Sequence, residues 1–521
     1  MQESFKKQYL VALCIFWIIV QCVQLDNDWT RMDDDAQYIL HAQSIIVNHS
    51  YNNPNFVYMQ DVDYIPKNAF PGWPLVLVPL FYLFGMNLLV FKMIVILLGL
   101  VSGIILFRIV QIRLHDFWSS FLITGIYYFS MTTIVFSKVI YSEWPYILLS
   151  FIIIFQSIRR RKKPVKTGAL ILTGILLGIL LLFRFIAIVL LFAVICEMAF
   201  SHFRNSKTLY IVKSTVILLI ASFVLYQAVV FMVHPEEGPG YKEQFFSKDL
   251  YYQEDGQASF VDIVYRIPKN VIAFIEHIPH VIFGRSWYEY VNYRYPVSRS
   301  YIDPLIIILG VMITLCMFIG FVKQVINNIS VIEYYVLFYL SIMLVIWFHY
   351  EVYRYLMPVA IFLVYYMVIG ILEIIRKIFR NKKPDKWIVL ILSFIFIVNI
   401  FHTAMEIYRY KYSPQSEKIK FVSNLSAAGW LKENVKTDEM IIADDPRWYA
   451  LETGLPVTPS PIFRDIEKVY QHIKQFPGSV IVVDQTRYFQ RSCIVPVLQK
   501  YHDHFDLLKE FGHIQIYRFV V

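Results

Sequence analysis

The sequence predicts a polytopic α-helical membrane protein of about eleven transmembrane helices, followed by a small C-terminal extracytoplasmic α/β domain. Three observations lead there. Of its 521 residues, 57% are hydrophobic and only 17% are charged, with 42 Phe and 37 Tyr, a surplus of apolar surface that needs lipid to receive it. The Lys and Arg residues gather in alternate segments between apolar runs, the distribution that orients helices in a bilayer. Beyond residue 405 the long apolar runs stop, and short stretches of helical and strand periodicity replace them.

The first run lies in MQESFKKQYLVALCIFWIIVQCVQL. Lys6 and Lys7 precede it and no small-residue cleavage site follows, so it reads as a retained span over 8–25 rather than a cleaved leader. Further spans are expected at 87–107, 118–137, 141–158, 167–182, 184–200, 209–232, 302–322, 332–348, 354–375 and 387–404. With the N-terminus inside, nineteen Lys and Arg fall on the inner side, among them Arg108, Arg113, the run RRRKKPVK at 159–166 and RKIFRNKKPDK at 376–386. The fifth and sixth spans are barely separated. Merging them would carry the block at 376–386 outside, so charge favours eleven spans over ten. Both basic blocks are explained by orientation and attraction to anionic lipid, and nucleic acid is not an expected partner.

The membrane module is thus residues 1–405, with outer loops 26–86 and 233–301. In the first loop AQYILHAQSII and PLVLVPLFYLFG are expected as helices on or slightly in the outer leaflet, the second too short and Pro-broken to span. The second loop, rich in Tyr, Phe, Pro and charge, suits a folded lid over a site. Residues 406–521 form the outer domain. Helices are expected at 417–434 and 465–476, strands at EMIIAD and SVIVVD, and a helix over VPVLQKYHDHFDLLKEF before a terminal strand HIQIYRFV. No Gly-rich phosphate loop occurs there. The five cysteines are scattered, four of them in expected spans, and indicate neither disulfides nor thiolate metal ligation.

Candidate chemistry starts at MDDDAQYILHAQSI. A helix cap accounts for one or two acids, not for Asp33, Asp34 and Asp35 together beside lipid. One carboxylate of the pair Asp34 and Asp35 can take the proton of an attacking hydroxyl while the other orients it. Lys67 stands where a lipid phosphate would sit. Glu143 enters the fourth span, and a carboxylate near hydrocarbon implies function or a partner such as Lys138. Arg184 is the one charge in a long apolar stretch, able to snorkel or to clamp a phosphate. His349, Glu351, Tyr353 and Arg354, in WFHYEVYRYLMPV, are candidates for a pocket wall, although an interfacial aromatic belt uses similar letters.

The segments DDAQYILHAQSI, KNAFPGWPLVLVPLFYLFG, SEWPYILL, GILLGILLLFR and RYLMPV, in this order, resemble the GT-C polytopic glycosyltransferases, in particular bacterial members related to protein O-mannosyltransferases and aminoarabinose lipid A transferases. The resemblance covers about residues 8–405. It implies an inverting transferase that takes a sugar from a polyprenyl-phosphate donor to a lipid, glycan or protein hydroxyl of the cell envelope, outside the cytoplasmic membrane. It carries the family's first-loop acid onto Asp34, with Asp35 beside it, the phosphate-facing lysine onto Lys67, and the second acid onto Glu143. The family's usual Lys-Pro-Pro is KNAFP here. No cofactor is certain; a divalent cation, if any, is expected at Asp34 and Glu143. The rival readings are a transporter or flippase for a lipid-linked saccharide and a non-catalytic envelope scaffold. Against transport, the ionisable residues gather at one membrane face and no repeat is evident.

Overall fold

The structure, a computed structural model, describes residues 2–29, 32–57, 70–161, 166–203, 208–233, 245–249, 251–284, 304–346, 352–378, 384–412 and 417–520. Helices dominate up to residue 412. They are α1 (Gln2–Gln24), α2 (Met32–Val47), α3 (Gly72–Phe84), α4 (Leu88–Leu114), α5 (Phe117–Phe129), α6 (Met131–Phe136), α7 (Glu143–Arg160), α8 (Thr167–Phe183), α9 (Ile188–Phe203) and α10 (Thr208–Val233). After these come α11 (Phe260–Phe283), α12 (Pro304–Asn328), α13 (Val331–Val345), α14 (Val352–Ile378) and α15 (Pro384–Tyr412). Six of them contain segments long and apolar enough to cross a bilayer: Lys6–Gln24, Leu88–Leu114, Leu209–Val233, Ile307–Asn328, Arg354–Ile378 and Lys386–Tyr408. The chain is an integral membrane protein. Expected spans five, six and nine fall on shorter apolar helices.

Local chemistry sets many of the boundaries. Asn87 caps α4 by accepting the Val90 N–H, and Asp116 caps α5 by accepting the Ser119 N–H at 2.7 Å. Ser259 with Asp262 and Ser330 with Glu333 form capping boxes at the starts of α11 and α13. The expected single span at 118–137 is instead two helices. The backbone of Ser130 is extended, and its side chain accepts the Thr133 N–H to start α6 afresh, so a buried serine cap ends one helix and begins the next.

Helices α12 and α14 touch backbone to backbone. A Cβ on Gly320 would stand 1.9 Å from the Tyr366 carbonyl oxygen, and one on Gly370 1.9 Å from that of Cys316, the use of small residues that lets helices approach in lipid. Gly370→Ala is expected to part the helices and lower stability by about 1–3 kcal/mol, read as a lower thermal midpoint in detergent. Beside this seam a buried ion pair ties four helices: Arg113 of α4 meets Glu333 of α13 at 2.9 Å and Gln324 of α12 at 2.7 Å, while Tyr366 of α14 donates to Glu333 at 3.1 Å. Each charge has several partners, the condition for tolerating burial.

The two helices of the first loop do not both lie on the membrane surface as expected. Ala36, Tyr38, Ile39, Leu40 and Ala42 of α2 are buried, because α2 is sandwiched between α3 and α17 (Pro446–Thr453) of the C-terminal domain. Helix α3 buries Trp73 and Leu77 but exposes Tyr82, Leu83 and Phe84.

That domain contains α16 (Glu417–Asn434), α17, α18 (Ile466–Ile473) and α19 (Val495–Lys500) around a five-stranded sheet of order β2-β1-β3-β5-β4. Strands β1 (Ile441–Ala443), β2 (Val457–Pro459) and β3 (Val480–Asp484) are parallel; β4 (Phe505–Phe511) and β5 (Ile514–Phe519) form an antiparallel hairpin on β3. The expected helix over 495–511 ends at Lys500, and its second half is β4. The hairpin turns at Gly512, whose φ of +59° glycine adopts without steric cost, and pairing with β5 outweighs the local helical pattern.

The first loop also joins this sheet. The Val57 N–H donates to the Val457 carbonyl and the Val457 N–H to that of Asn55, both at 2.8 Å, extending the outer edge of β2. Trp29 Nε1 donates to Glu452 at 2.9 Å. In the same interface His41 is buried, stacks on Tyr51 at 4.3 Å and bonds the Tyr51 carbonyl through Nδ1 at 2.8 Å. Burial, aided by the Arg447 charge and opposed by the Tyr51 bond, pushes the imidazole down from 6.5 to about 4. The folded state therefore resists protonation that the unfolded chain accepts. Stability is complete above pH 6.5 and is expected to fall by about 3 kcal/mol as the pH drops toward 4. Comparing thermal midpoints across this range in the wild type and in His41→Phe checks it; the variant should lack that component of the pH dependence.

Candidate functional site

The site is built on the turn between α6 and α7. Lys138 to Ser142 are all buried, and helices of the first loop hold the turn from outside. The Ile140 N–H donates to Asp35 Oδ1 at 3.0 Å, and the Ile140 carbonyl accepts from Trp73 Nε1 at 2.8 Å. Two residues on, Ser142 Oγ and the Tyr38 hydroxyl share a hydrogen bond of 3.0 Å. Both backbone polar groups of one buried residue are thus bound by side chains distant in sequence, which pins the backbone that presents Tyr141 and Glu143.

Glu143 opens α7 and its side chain is 1% exposed. Its Oε1 accepts hydrogen bonds from Arg184 Nη1 and from Arg354 Nε. Arg184 caps the C-terminal end of α8, just before a 3₁₀ turn (Phe185–Ala187) that leads into α9. Arg354 lies in the first turn of α14, its guanidinium 4.0 Å above the centre of the Tyr141 ring. Arg184 faces the Tyr355 ring at 5.8 Å, and the Tyr355 carbonyl accepts from the Tyr339 hydroxyl at 2.7 Å. Three helix ends, of α7, α8 and α14, therefore converge on one carboxylate.

Taken by themselves, the Glu143 carboxylate and the two guanidiniums sum to a formal charge of +1 (−1 + 2) in a largely buried aromatic setting, and Arg354 has a further interaction besides these. Such a cluster attracts an anion strongly, because weak screening magnifies the residual charge. Among the described residues, Glu143 is the one hydrogen-bond acceptor of the Arg184 guanidinium, which carries five N–H donors in all. Glu143 Oε2 is buried with no hydrogen-bond donor among the described residues.

Of the residues singled out in the sequence, the structure brings Glu143, Arg184 and Arg354 together and places Asp35 behind them. Asp35 is fully buried and its Oδ1 accepts the Ile140 N–H, so it supports the turn. Lys67, His349 and Glu351 lie outside the described residues, as do the side chains of Asp34 and Tyr353. The partners found for Glu143 are the two arginines rather than Lys138. Tyr38, Trp73, Tyr141 and Tyr355 were not foreseen; nothing in the letters separates them from the protein's other aromatics. Among the described residues no three His, Cys, Asp or Glu are placed to hold a metal ion, and the two guanidiniums on Glu143 would repel one. These described groups do not fit a divalent cation.

No protein-family model matches the sequence, and a search of curated proteins returns no significant match. Solved structures do match. The archaeal oligosaccharyltransferase AglB from Archaeoglobus fulgidus, in complex with an inhibitory peptide and a dolichol-phosphate, superposes with a TM-score of 0.54 over 98% of this chain and 74% of its own, at 11% identity. A mutant form of the mycobacterial arabinofuranosyltransferase AftD gives 0.52 over 99% of this chain and 42% of its own, at 10% identity. The chain has the GT-C fold. ArnT from Cupriavidus metallidurans, at a TM-score of 0.46 and 12% identity, matches over 98% of both chains. A further AglB structure, in complex with Zn and sulfate, gives 0.56 at 10% identity, covering 91% of this chain and 68% of its own. Within this GT-C scaffold the Glu143 cluster sits at the end of α7 covered by α2 and α3, the end nearest the C-terminal domain.

Proposed function

We propose that the protein is an inverting glycosyltransferase that moves a sugar from a polyprenyl-phosphate donor to a hydroxyl of a cell-envelope lipid, glycan or protein. The carrying observation is the net positive Glu143–Arg184–Arg354 cluster at one end of a membrane helix bundle with the GT-C fold. An isoprenoid-linked sugar cannot leave the bilayer, so its phosphate must be met where helices end. Arg184 and Arg354 would hold that phosphate, with Lys67 as a further cation, and favour the negative charge it gains. In this reading Glu143 is a positioning residue that keeps the two guanidiniums side by side. Dolichol-phosphate in the AglB complex supports a lipid phosphate as the ligand class.

In the reaction the acceptor oxygen forms a bond to the anomeric carbon while the bond from that carbon to the phosphate oxygen breaks. The electron pair leaves with the phosphate, and the hydroxyl proton passes to a base. Attack opposite the leaving group inverts the centre. Asp34, next to the buried Asp35 on α2, is our choice of base. His349, Glu351 and Tyr353 would line the pocket near Arg354. The site faces the outer side, with the N-terminus inside, and the domain after residue 412 stands over it. The eleven-span topology of the sequence belongs to this reading, which it supports through the positive-inside pattern.

The test supplies defined polyprenyl-phosphate sugars to the full-length protein in lipid and follows transfer by mass spectrometry. Asp34→Asn is expected to lose about 10²–10⁴-fold in turnover with its thermal midpoint kept. Unchanged turnover would remove Asp34 as the base. Absence of transfer to every acceptor class, with saccharide crossing vesicles, would favour the transporter.

A further inference from the structure

A second polar site lies at the other end of α7, about 25 Å along the helix from Glu143. There α7, α8, α9 and α10 line a small open cleft of about 40 Å³, formed by Gln156, Arg160, Arg161, Glu197, Leu170 and Leu218 among others. Glu197 is 5% exposed, yet its Oε1 has no hydrogen-bond donor among the described residues. The nearest cation is Arg161, whose Nε stands 3.9 Å away and whose other nitrogens bond Asn328 and the Ile329 carbonyl. Gln156 Oε1 is likewise buried without a donor among the described residues. Arg160 also lines the cleft and has no hydrogen bond or ion pair among the described residues.

Glu197 is held by the Arg161 charge and by the Val331 N–H, which leaves its Oε1 and the Gln156 amide oxygen as buried acceptors without a hydrogen-bond donor among the described residues; two such acceptors are costly and point to a ligand that brings N–H groups. The guanidinium of Arg160 calls for the opposite, an anion. The flanking helices present apolar side chains to the surroundings, Ile171 and Leu172 on α8, Leu219 and Ile220 on α10. Donor-rich head, anion and apolar tail belong to one class of molecule.

We propose that this cleft binds a phospholipid headgroup bearing a primary ammonium, with the phosphate at Arg160 and the ammonium at Glu197 Oε1 and Gln156 Oε1. The site is at the opposite end of α7 from the Glu143 cluster and does not depend on that reading. Helices α8 and α10 are in direct contact, a Cβ on Gly174 standing 2.6 Å from that of Ala221, so the lipid's tails lie over their outer faces and not between them.

Native mass spectrometry of the full-length protein in detergent tests this, with phosphatidylethanolamine, phosphatidylcholine and phosphatidylglycerol added at equal concentration. Phosphatidylethanolamine is expected to be retained about tenfold over phosphatidylcholine, whose methylated amine has no N–H donor. Glu197→Gln should abolish that preference, and Arg160→Ala should weaken retention of all three. Should Glu197→Gln fail to fold, Gln156→Leu gives the same reading with a smaller change. Equal retention of phosphatidylcholine, or a preference that survives Glu197→Gln or Gln156→Leu in folded protein, would overturn the proposal. Phosphatidylglycerol held as tightly as phosphatidylethanolamine would overturn the ammonium contact.

Discussion

Glu143→Gln is expected to reduce sugar transfer about 10²–10³-fold and to destabilise the protein by about 3–5 kcal/mol. The carboxylate is 1% exposed and serves as the common acceptor for Arg184 and Arg354. Its neutral amide leaves two guanidiniums in a largely buried space with a formal charge of +2, and they separate. A phosphate that needs both would then be gripped at one point, which misplaces the reacting carbon. Stability is read from thermal unfolding in detergent and transfer from product formation. The double variant Glu143→Gln with Arg184→Met should recover part of the lost stability, because one uncompensated charge has gone, but none of the transfer. Equal midpoints for the wild type and Glu143→Gln would show that the ion cluster does not hold the helix ends together.

Asp35→Ala should act through the backbone instead. It leaves the buried Ile140 N–H without its acceptor, a cost of about 1–3 kcal/mol. The turn that presents Tyr141 and Glu143 then loosens. Turnover is expected to fall about 10²-fold through misplacement, while the pH dependence of turnover keeps its shape, since a base is still present. A changed pH profile in Asp35→Ala would instead make Asp35 a participant in proton transfer. The contrast with Asp34→Asn, which should alter that profile, separates the two neighbouring acids.

Membrane residence was legible because it depends on composition and run length, both properties of the chain alone. Ten of the eleven expected spans fall on helices close to the expected limits, since one apolar run of helical length supplies its own hydrogen bonds. Isolation of a charge was the useful signal for the site. Glu143 and Arg184 stood out because an ionisable group amid apolar residues needs a partner, and Arg354 as part of the aromatic and ionic stretch WFHYEVYRYLMPV, yet each alone could equally have met lipid headgroups.

What the letters determined by themselves is therefore local: where helices run, which ends are basic, and which charges are out of place. The partners of those charges were decided by tertiary structure, because Glu143 and Arg354 lie 211 residues apart and meet only when α7, α8 and α14 pack. The strand at Phe505–Phe511 and the burial of α2 follow the same rule. In each case a non-local contact, whether a neighbouring strand or a whole domain laid over a helix, outweighed the periodicity of the segment.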